Sequence, residues 1–175
     1  VLSKNINISL NDKSRRRLKI LSSNLKRLNY NPKITNFDTK DIEDKLKYKF
    51  LILDAPCSAV GTIRRNPEIF FRLNKPKISE LINLQSKMLD KAAQILEKNG
   101  LILYMVCSFL EIETTKQISN FLKRNVNFSI HKFIMNNEIS YYKKFIKDNF
   151  MITLPTEIKG YNIDGYFAVY LKRDK

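Results

Sequence analysis

Cys57 and Cys107, fifty positions apart, are the residues of this chain best suited to nucleophilic chemistry. Each follows an apolar run of strand character: Phe50-Leu51-Ile52-Leu53 precedes Asp54-Ala55-Pro56-Cys57-Ser58, and Leu101 to Val106 precedes Cys107-Ser108. Each thiol is therefore expected at the carboxyl end of a strand, where open α/β sheets bind ligands. A thiolate is a nucleophile, and either cysteine is a candidate for one. The residues alone leave open which thiol attacks. The competing reading is a pair of inert core cysteines, since free cysteine is among the most buried residue types. Asp12, Asp38 and Asp54 also stand at or just past the ends of segments of strand character. Singly, each reads as well as a helix cap or turn residue, but their common placement after strands favours a site. Asp12 stands where a carboxylate can accept hydrogen bonds from a ribose diol. Two distant cysteines and the single His131 supply no ligand set for zinc.

The elements that must position these groups alternate between strand and helix. Ile6, Ile8 and Leu10 alternate with polar residues as in a strand. Leu18, Leu21, Leu25 and Leu28 recur at helical spacing behind a possible Ser14 cap, and Asn29-Tyr30-Asn31-Pro32 ends that helix. Lys33 to Phe37 reads as a short strand, Ser79 to Lys98 as a long helix closed by Asn99-Gly100, and Ile112 to Lys123 as the next helix. In the tail, Phe128 to Ile134, Met151 to Leu154 and Tyr166 to Leu171 read as strands with no comparable helix between them, which predicts a β-hairpin at the sheet edge. Phe133 to Asn149 reads as a loop or short helix. With 175 residues, 43% of them hydrophobic, one domain is expected.

Charge points to a polyanionic partner. The 32 Lys and Arg outnumber the 17 Asp and Glu and leave a net charge of +15, so RNA or another nucleic acid is the expected partner. Arg15, Arg16 and Arg17 open one helix, and Arg64 and Arg65 follow Cys57, with Arg72, Lys75 and Lys77 further on. Abundant Lys, Asn and Ile also fit an AT-rich coding bias, which accounts for part of the excess. No apolar run approaches a membrane span, the N-terminus lacks a signal-peptide pattern, and free thiols fit a reducing compartment, so a cytoplasmic location is expected.

The stretch Asp54-Ala55-Pro56-Cys57-Ser58-Ala59-Val60-Gly61-Thr62-Ile63-Arg64-Arg65-Asn66-Pro67-Glu68 resembles the signature loop of the Sun/Fmu family of ribosomal RNA cytosine-5 methyltransferases. Val106-Cys107-Ser108 resembles that family's Thr-Cys-Ser motif, Asp12 with Ser14, Arg17 and Leu18 its ribose-binding strand end, and Asp164-Gly165-Tyr166-Phe167-Ala168 its Asp-Gly-Phe-Phe motif. The resemblance implies a Rossmann-like α/β methyltransferase fold, S-adenosyl-L-methionine as cofactor and ribosomal RNA as substrate. It also implies Cys107 as the nucleophile on carbon 6 of cytosine and Cys57 as the residue assisting release, although DNA cytosine-5 methyltransferases use a Pro-Cys thiol as nucleophile. Asp38 is implied on the adenine side, and Asp54 near the methionine moiety and N3 of the target base. A basic rim of Arg15, Arg16, Arg17, Arg64 and Arg65 would grip phosphates around a base reached outside the stack.

Several positions depart from the family pattern. Ala59-Val60 stands for Gly-Thr, Met105-Val106 for Ser-Thr, and Thr114 for Asn. The chain also opens at Val1, a few residues before the family's second strand, and none of its four glycines precedes Gly61. The expectation is an N-terminally truncated fold, with residues 1–175 forming a partial catalytic domain that lacks the first strand, the Gly-rich loop, an upstream lysine and the N-terminal RNA-binding region. Strand edges beside the missing strand would then be unpaired. Two function classes follow: an RNA cytosine-5 methyltransferase completed by an upstream segment, as in one half of a split enzyme, or a non-catalytic basic remnant that binds RNA.

Overall fold

The computed structural model describes residues 7–43, 45, 47–73, 77–134 and 137–174. They belong to two compact units, Val1–Glu43 and Asp44–Lys175. In the first, strands β1 (Ser9–Asn11) and β2 (Lys33–Thr35) pair in parallel, connected through helix α1 (Arg15–Arg27). Ser14 caps α1 by accepting the Arg17 N–H, and Lys26 and Arg27 sit in its last turn, where cations oppose the helix dipole. Leu18, Leu21 and Leu25 are half-buried along one stripe, whereas Leu28 is exposed. Asn29 ends the helix in the left-handed region, φ 56°. Ile6, expected in the first strand, lies outside the described residues.

The second unit is built on a mixed sheet. Strands β3 (Tyr48–Asp54) and β4 (Leu96–Val106) run parallel, linked through helix α2 (Ile78–Ile95). Helix α3 (Thr115–Arg124) follows, then β5 (Phe128–His131), β6 (Ile146–Lys147), β7 (Phe150–Thr153), β8 (Thr156–Ile158), β9 (Tyr161–Ile163) and β10 (Tyr166–Arg173). The sheet order is β3-β4-β10-β7-β6, with β5 paired to the far half of β10 and β8 with β9 as a separate hairpin. The edge hairpin pairs β7 with β6, a strand inside the stretch Phe133 to Asn149 that reads as loop or short helix, and β10 lies inside the sheet because Phe167, Val169 and Leu171 alternate inward against Val106, Tyr104 and Ile102 of β4.

These six side chains form one face of the core. Leu89, Ala92 and Ala93 of α2 and Ile118 and Phe121 of α3 belong to the same cluster, and the Phe121 ring meets Phe128 edge-on at 5.2 Å. The opposite face is less covered, with Phe50 45% and Ile52 63% exposed. Among the described residues β1 pairs only with β2 and β3 only with β4, so each has one unpaired edge, as the sequence predicts.

The junction of α2 and β4 differs from expectation. The helix ends at Ile95 and the strand begins at the next residue, the pairing with β3 skipping from Tyr48 opposite Leu96 to Phe50 opposite Leu101. Asn99 takes the left-handed conformation, φ 60°. Gly100 is needed for space instead, since a Cβ there would lie 2.8 Å from Leu96 Cγ.

Phe121→Ala should lower stability in urea unfolding by about 3–5 kcal/mol, the usual cost of emptying an aromatic core position. Val126→Ala, at a side chain 89% exposed, should stay within about 0.5 kcal/mol of the parent.

Candidate active site

Parallel pairing brings the two cysteines to one end of the sheet. Asp54 lies opposite Met105 at the ends of β3 and β4, and the Ala55 N–H donates to the Met105 carbonyl at 3.0 Å, which carries the pairing past the strand. Both chains then turn out, and the Sγ atoms of Cys57 and Cys107 meet at 3.3 Å. Both are free, half-buried thiols. The hydrogen bond from Cys57 stabilises the Cys107 thiolate and lowers its pKa to about 7, against the opposing effects of burial and of the Asp54 and Glu113 charges. The same contact pushes Cys57 strongly upward, reinforced by burial and by the Cys107 charge. The pair is thus polarised, with Cys107 as the thiolate and Cys57 as the thiol.

A glycine contact adjoins the Cys107 main chain. The Gly61 N–H donates to the Cys107 carbonyl at 3.0 Å, and the Gly165 N–H donates to the Gly61 carbonyl at 2.7 Å. A Cβ on Gly61 would run into the Gly165 carbonyl, so only glycine permits this approach. Beside it, the buried Asp164 carboxylate accepts from Arg65 Nε at 2.6 Å and from a second Arg65 nitrogen, and Arg64 Nη2 lies 3.6 Å away. Arg64 and Arg65, expected at an RNA-gripping rim, are thereby tied to the Asp-Gly loop, although their side chains remain 35% and 56% exposed.

Sequence reasoning missed the centre of the polar network. Glu113 is wholly buried and accepts from the Ser58 N–H at 2.9 Å, Ser58 Oγ at 2.5 Å, Ser108 Oγ at 2.6 Å and Gln85 Nε2 at 3.1 Å. Gln85 donates also to the Pro56 carbonyl at 3.0 Å, and the buried Tyr104 hydroxyl donates to the Glu113 main-chain carbonyl at 3.0 Å. The available signal was the repeated Cys-Ser dipeptide, whose two serines converge on one carboxylate.

Asp12 and Asp38 lie in the first unit. Asp12 accepts the Ser14 N–H at 2.7 Å and a two-pronged contact from Arg17, at 2.9 Å from Nη2 and 2.7 Å from Nε. Burial works against its ionisation, but the Arg17 and Ser14 hydrogen bonds outweigh it and hold the carboxyl below its ordinary range. The turn role weighed for Asp12 is therefore present, and Arg17 is engaged with it. Arg15 Nε donates to Asn36 Oδ1 at 3.3 Å, Arg16 is exposed, and Asp38 opens the turn Thr39–Asp41 with its main-chain carbonyl, which accepts the Asp41 N–H at 2.9 Å. Lys75, one of the basic residues after Cys57, lies outside the described residues. Among the described residues no cluster of three or more His, Cys, Asp or Glu can hold a metal ion, and no helix is long and apolar enough to cross a membrane.

The architecture is that of the Rossmann-like S-adenosylmethionine-dependent methyltransferases. It superposes on the solved structure of PH0851 with a TM-score of 0.80 at 28% identity, over 95% of this chain and 37% of that one. It superposes on NSun6 from Pyrococcus horikoshii, solved with SFG, with a TM-score of 0.76 at 23% identity, over 97% and 42%. The family model described as 16S rRNA methyltransferase RsmB/F matches residues 1–172, and the chain belongs to that family. Ribosomal RNA small subunit methyltransferase B of Photorhabdus laumondii is 39% identical over 117 residues, 65% of this chain, and that of Pasteurella multocida is 33% identical over 134 residues, 75% of this chain. The chain spans 27% of the length of each of these relatives.

Alkylation by iodoacetamide, mapped by mass spectrometry, should modify Cys107 first, at a rate rising through about pH 7 and then levelling off. Cys57 should stay unmodified over the same range while Cys107 is intact. Equal labelling of both thiols would contradict the polarised pair.

Proposed function

We propose that this chain carries the catalytic centre of an RNA cytosine-5 methyltransferase acting on ribosomal RNA, with Cys107 as nucleophile and Cys57 as the residue that assists release. The observation that carries the reading is the polarised 3.3 Å contact between two thiols at parallel strand ends. Carbon 5 of cytosine is a poor nucleophile until a thiolate adds to carbon 6. Cys107 forms that C–S bond, and Asp54, at the end of the adjacent strand, acts as the general acid that gives a proton to N3 as the ring accepts charge and takes it back when the adduct breaks down. Completion requires removal of the carbon 5 proton and cleavage of the C–S bond, which returns the Cys107 thiolate.

Cys57 is fitted to that second stage by the way its own ionisation is suppressed. The main causes of its raised pKa are its hydrogen bond to Cys107 and, after burial, the Cys107 charge. Both disappear once Cys107 is a thioether. Cys57 then becomes able to ionise and take the carbon 5 proton, so adduct formation itself readies the base for breakdown.

S-adenosyl-L-methionine is the cofactor that the family membership implies, and it supplies an electrophilic methyl group. The residues present fit its nucleoside end: the half-buried Asp12 carboxylate is held ionised at a strand end, and its oxygens keep acceptor capacity for ribose hydroxyls beyond Arg17 and Ser14. Asp38 is assigned to the adenine side, and Asp54 to the methionine end as well as the base. RNA phosphates are assigned to Arg15, Arg16, Arg17, Arg64 and Arg65 within a net charge of +15. Because Arg17 and Arg65 already pair with carboxylates and Arg64 lies 3.6 Å from Asp164, Arg15 and Arg16 are expected to contribute most.

With ribosomal RNA and S-adenosylmethionine, Cys107→Ala should abolish methylation without trapping RNA. Cys57→Ala should accumulate a denaturation-resistant protein–RNA complex on a gel. Trapping by Cys107→Ala alone would reverse the roles, and RNA binding without methylation or trapping in any form would mark a non-catalytic RNA-binding protein.

A further inference from the structure

We propose that Glu113 is the positioning residue of the two-thiol centre: its buried carboxylate straps the loop after Cys57 to the loop after Cys107 and so holds the thiols in contact. The inference rests on the reading of Cys107 as nucleophile and Cys57 as its partner. Glu113 is not itself placed to touch a reacting atom. It acts through residues adjacent to both thiols in sequence, the Ser58 N–H and Oγ at 2.9 and 2.5 Å and the Ser108 Oγ at 2.6 Å. The two serine hydroxyls lie 3.3 Å apart, so one carboxylate oxygen gathers both loops. Gln85 secures the other side of Cys57 by bonding Glu113 and the Pro56 carbonyl at 3.1 and 3.0 Å.

A carboxylate is a poor choice here for stability alone. Burial strips it of water, none of these donors is a cation, and well-packed apolar groups often stabilise such a position as well or better. What a carboxylate adds is direction, because it accepts from several fixed donors at once. Tyr104 and Thr114 hold its backbone in turn, through the Glu113 carbonyl at 3.0 Å and the Leu110 carbonyl at 3.0 Å.

Geometry and charge act on Cys107 in opposite senses, and this separates them experimentally. Cys107 is faced by Cys57, by Asp54 from β3, by Glu113 from the turn before α3, by Tyr166 from β10 and by Arg65. The Glu113 charge disfavours the thiolate, whereas the contact that Glu113 maintains with Cys57 favours it. Removing the charge without disturbing geometry would therefore lower the Cys107 pKa, and losing the strap raises it.

The test uses the intact chain without RNA, which keeps it separate from the trapping experiment on the catalytic roles. In Glu113→Gln, thiolate absorbance should place Cys107 ionisation above the parent value of about 7. Ser108→Ala, which removes one strap and no charge, should shift it in the same direction by less. Closure of a Cys57–Cys107 disulfide by diamide, which takes up the two electrons and two protons that the thiols lose, should slow by about tenfold to a hundredfold in Glu113→Gln, as for a misplaced reacting pair. A lowered pKa would assign Glu113 a purely electrostatic effect and overturn the proposal. A lowered melting temperature with unchanged ionisation and closure rate would leave it a structural residue only. If Glu113→Gln does not fold, Ser58→Ala and Ser108→Ala decide by the same readouts.

Discussion

A carboxylate sealed from water persists only where hydrogen bonds replace its hydration, and Glu113 meets that demand with donors from the loops after both cysteines and from α2. This constraint links the parts of the second unit. The parallel pairing of β3 and β4 brings the chain to the right end of the sheet, but pairing ends near Ala55, before either thiol. Beyond it the loops are fixed by side chains: Glu113 and Gln85 on one side, and the Gly61–Gly165 approach with the Asp164 ion pairs on the other. Disturbing either side should alter the thiol contact before it disturbs the core of Tyr104, Phe121 and Phe167.

That arrangement gives two chemically identical side chains different acidities. The hydrogen bond between them lowers the Cys107 pKa and raises that of Cys57, and the asymmetry lasts as long as Cys107 keeps its charge. In the proposed mechanism, division of labour between them needs no separate general base built into the resting site. It needs a short and stable separation, which explains how much rigid polar structure surrounds so small a contact. The Asp54 and Glu113 carboxylates act on Cys107, and Arg64 and Arg65 pair with Asp164 beside the glycine contact.

Local features were legible in the sequence, and long-range ones were not. The leucine spacing with its Ser14 cap yields α1, and the apolar runs before Cys57 and Cys107 yield strand ends, because periodicity and capping are written in adjacent residues. The order of motifs revealed the family. The α2–β4 junction was misjudged because Asn99-Gly100 reads as a helix stop, whereas Asn99 and Gly100 serve a strand irregularity after a helix that has already ended. The interior position of β10 depends on which strand pairs with it, and Arg65 meets Asp164 across 99 positions. Glu113 itself carries no signal in the sequence, since nothing near it shows that a serine 55 positions earlier would donate to it.

Dibromobimane tests the central claim most directly, because it bridges only thiols held close together and fluoresces strongly once both bromides are displaced. The folded chain should take up one equivalent, become fluorescent and yield a single cross-link between Cys57 and Cys107, with the second displacement following alkylation of Cys107. Separate, non-fluorescent single additions at the two cysteines in the folded protein would show that the parallel strand ends do not hold the thiols in contact, and would contradict the account.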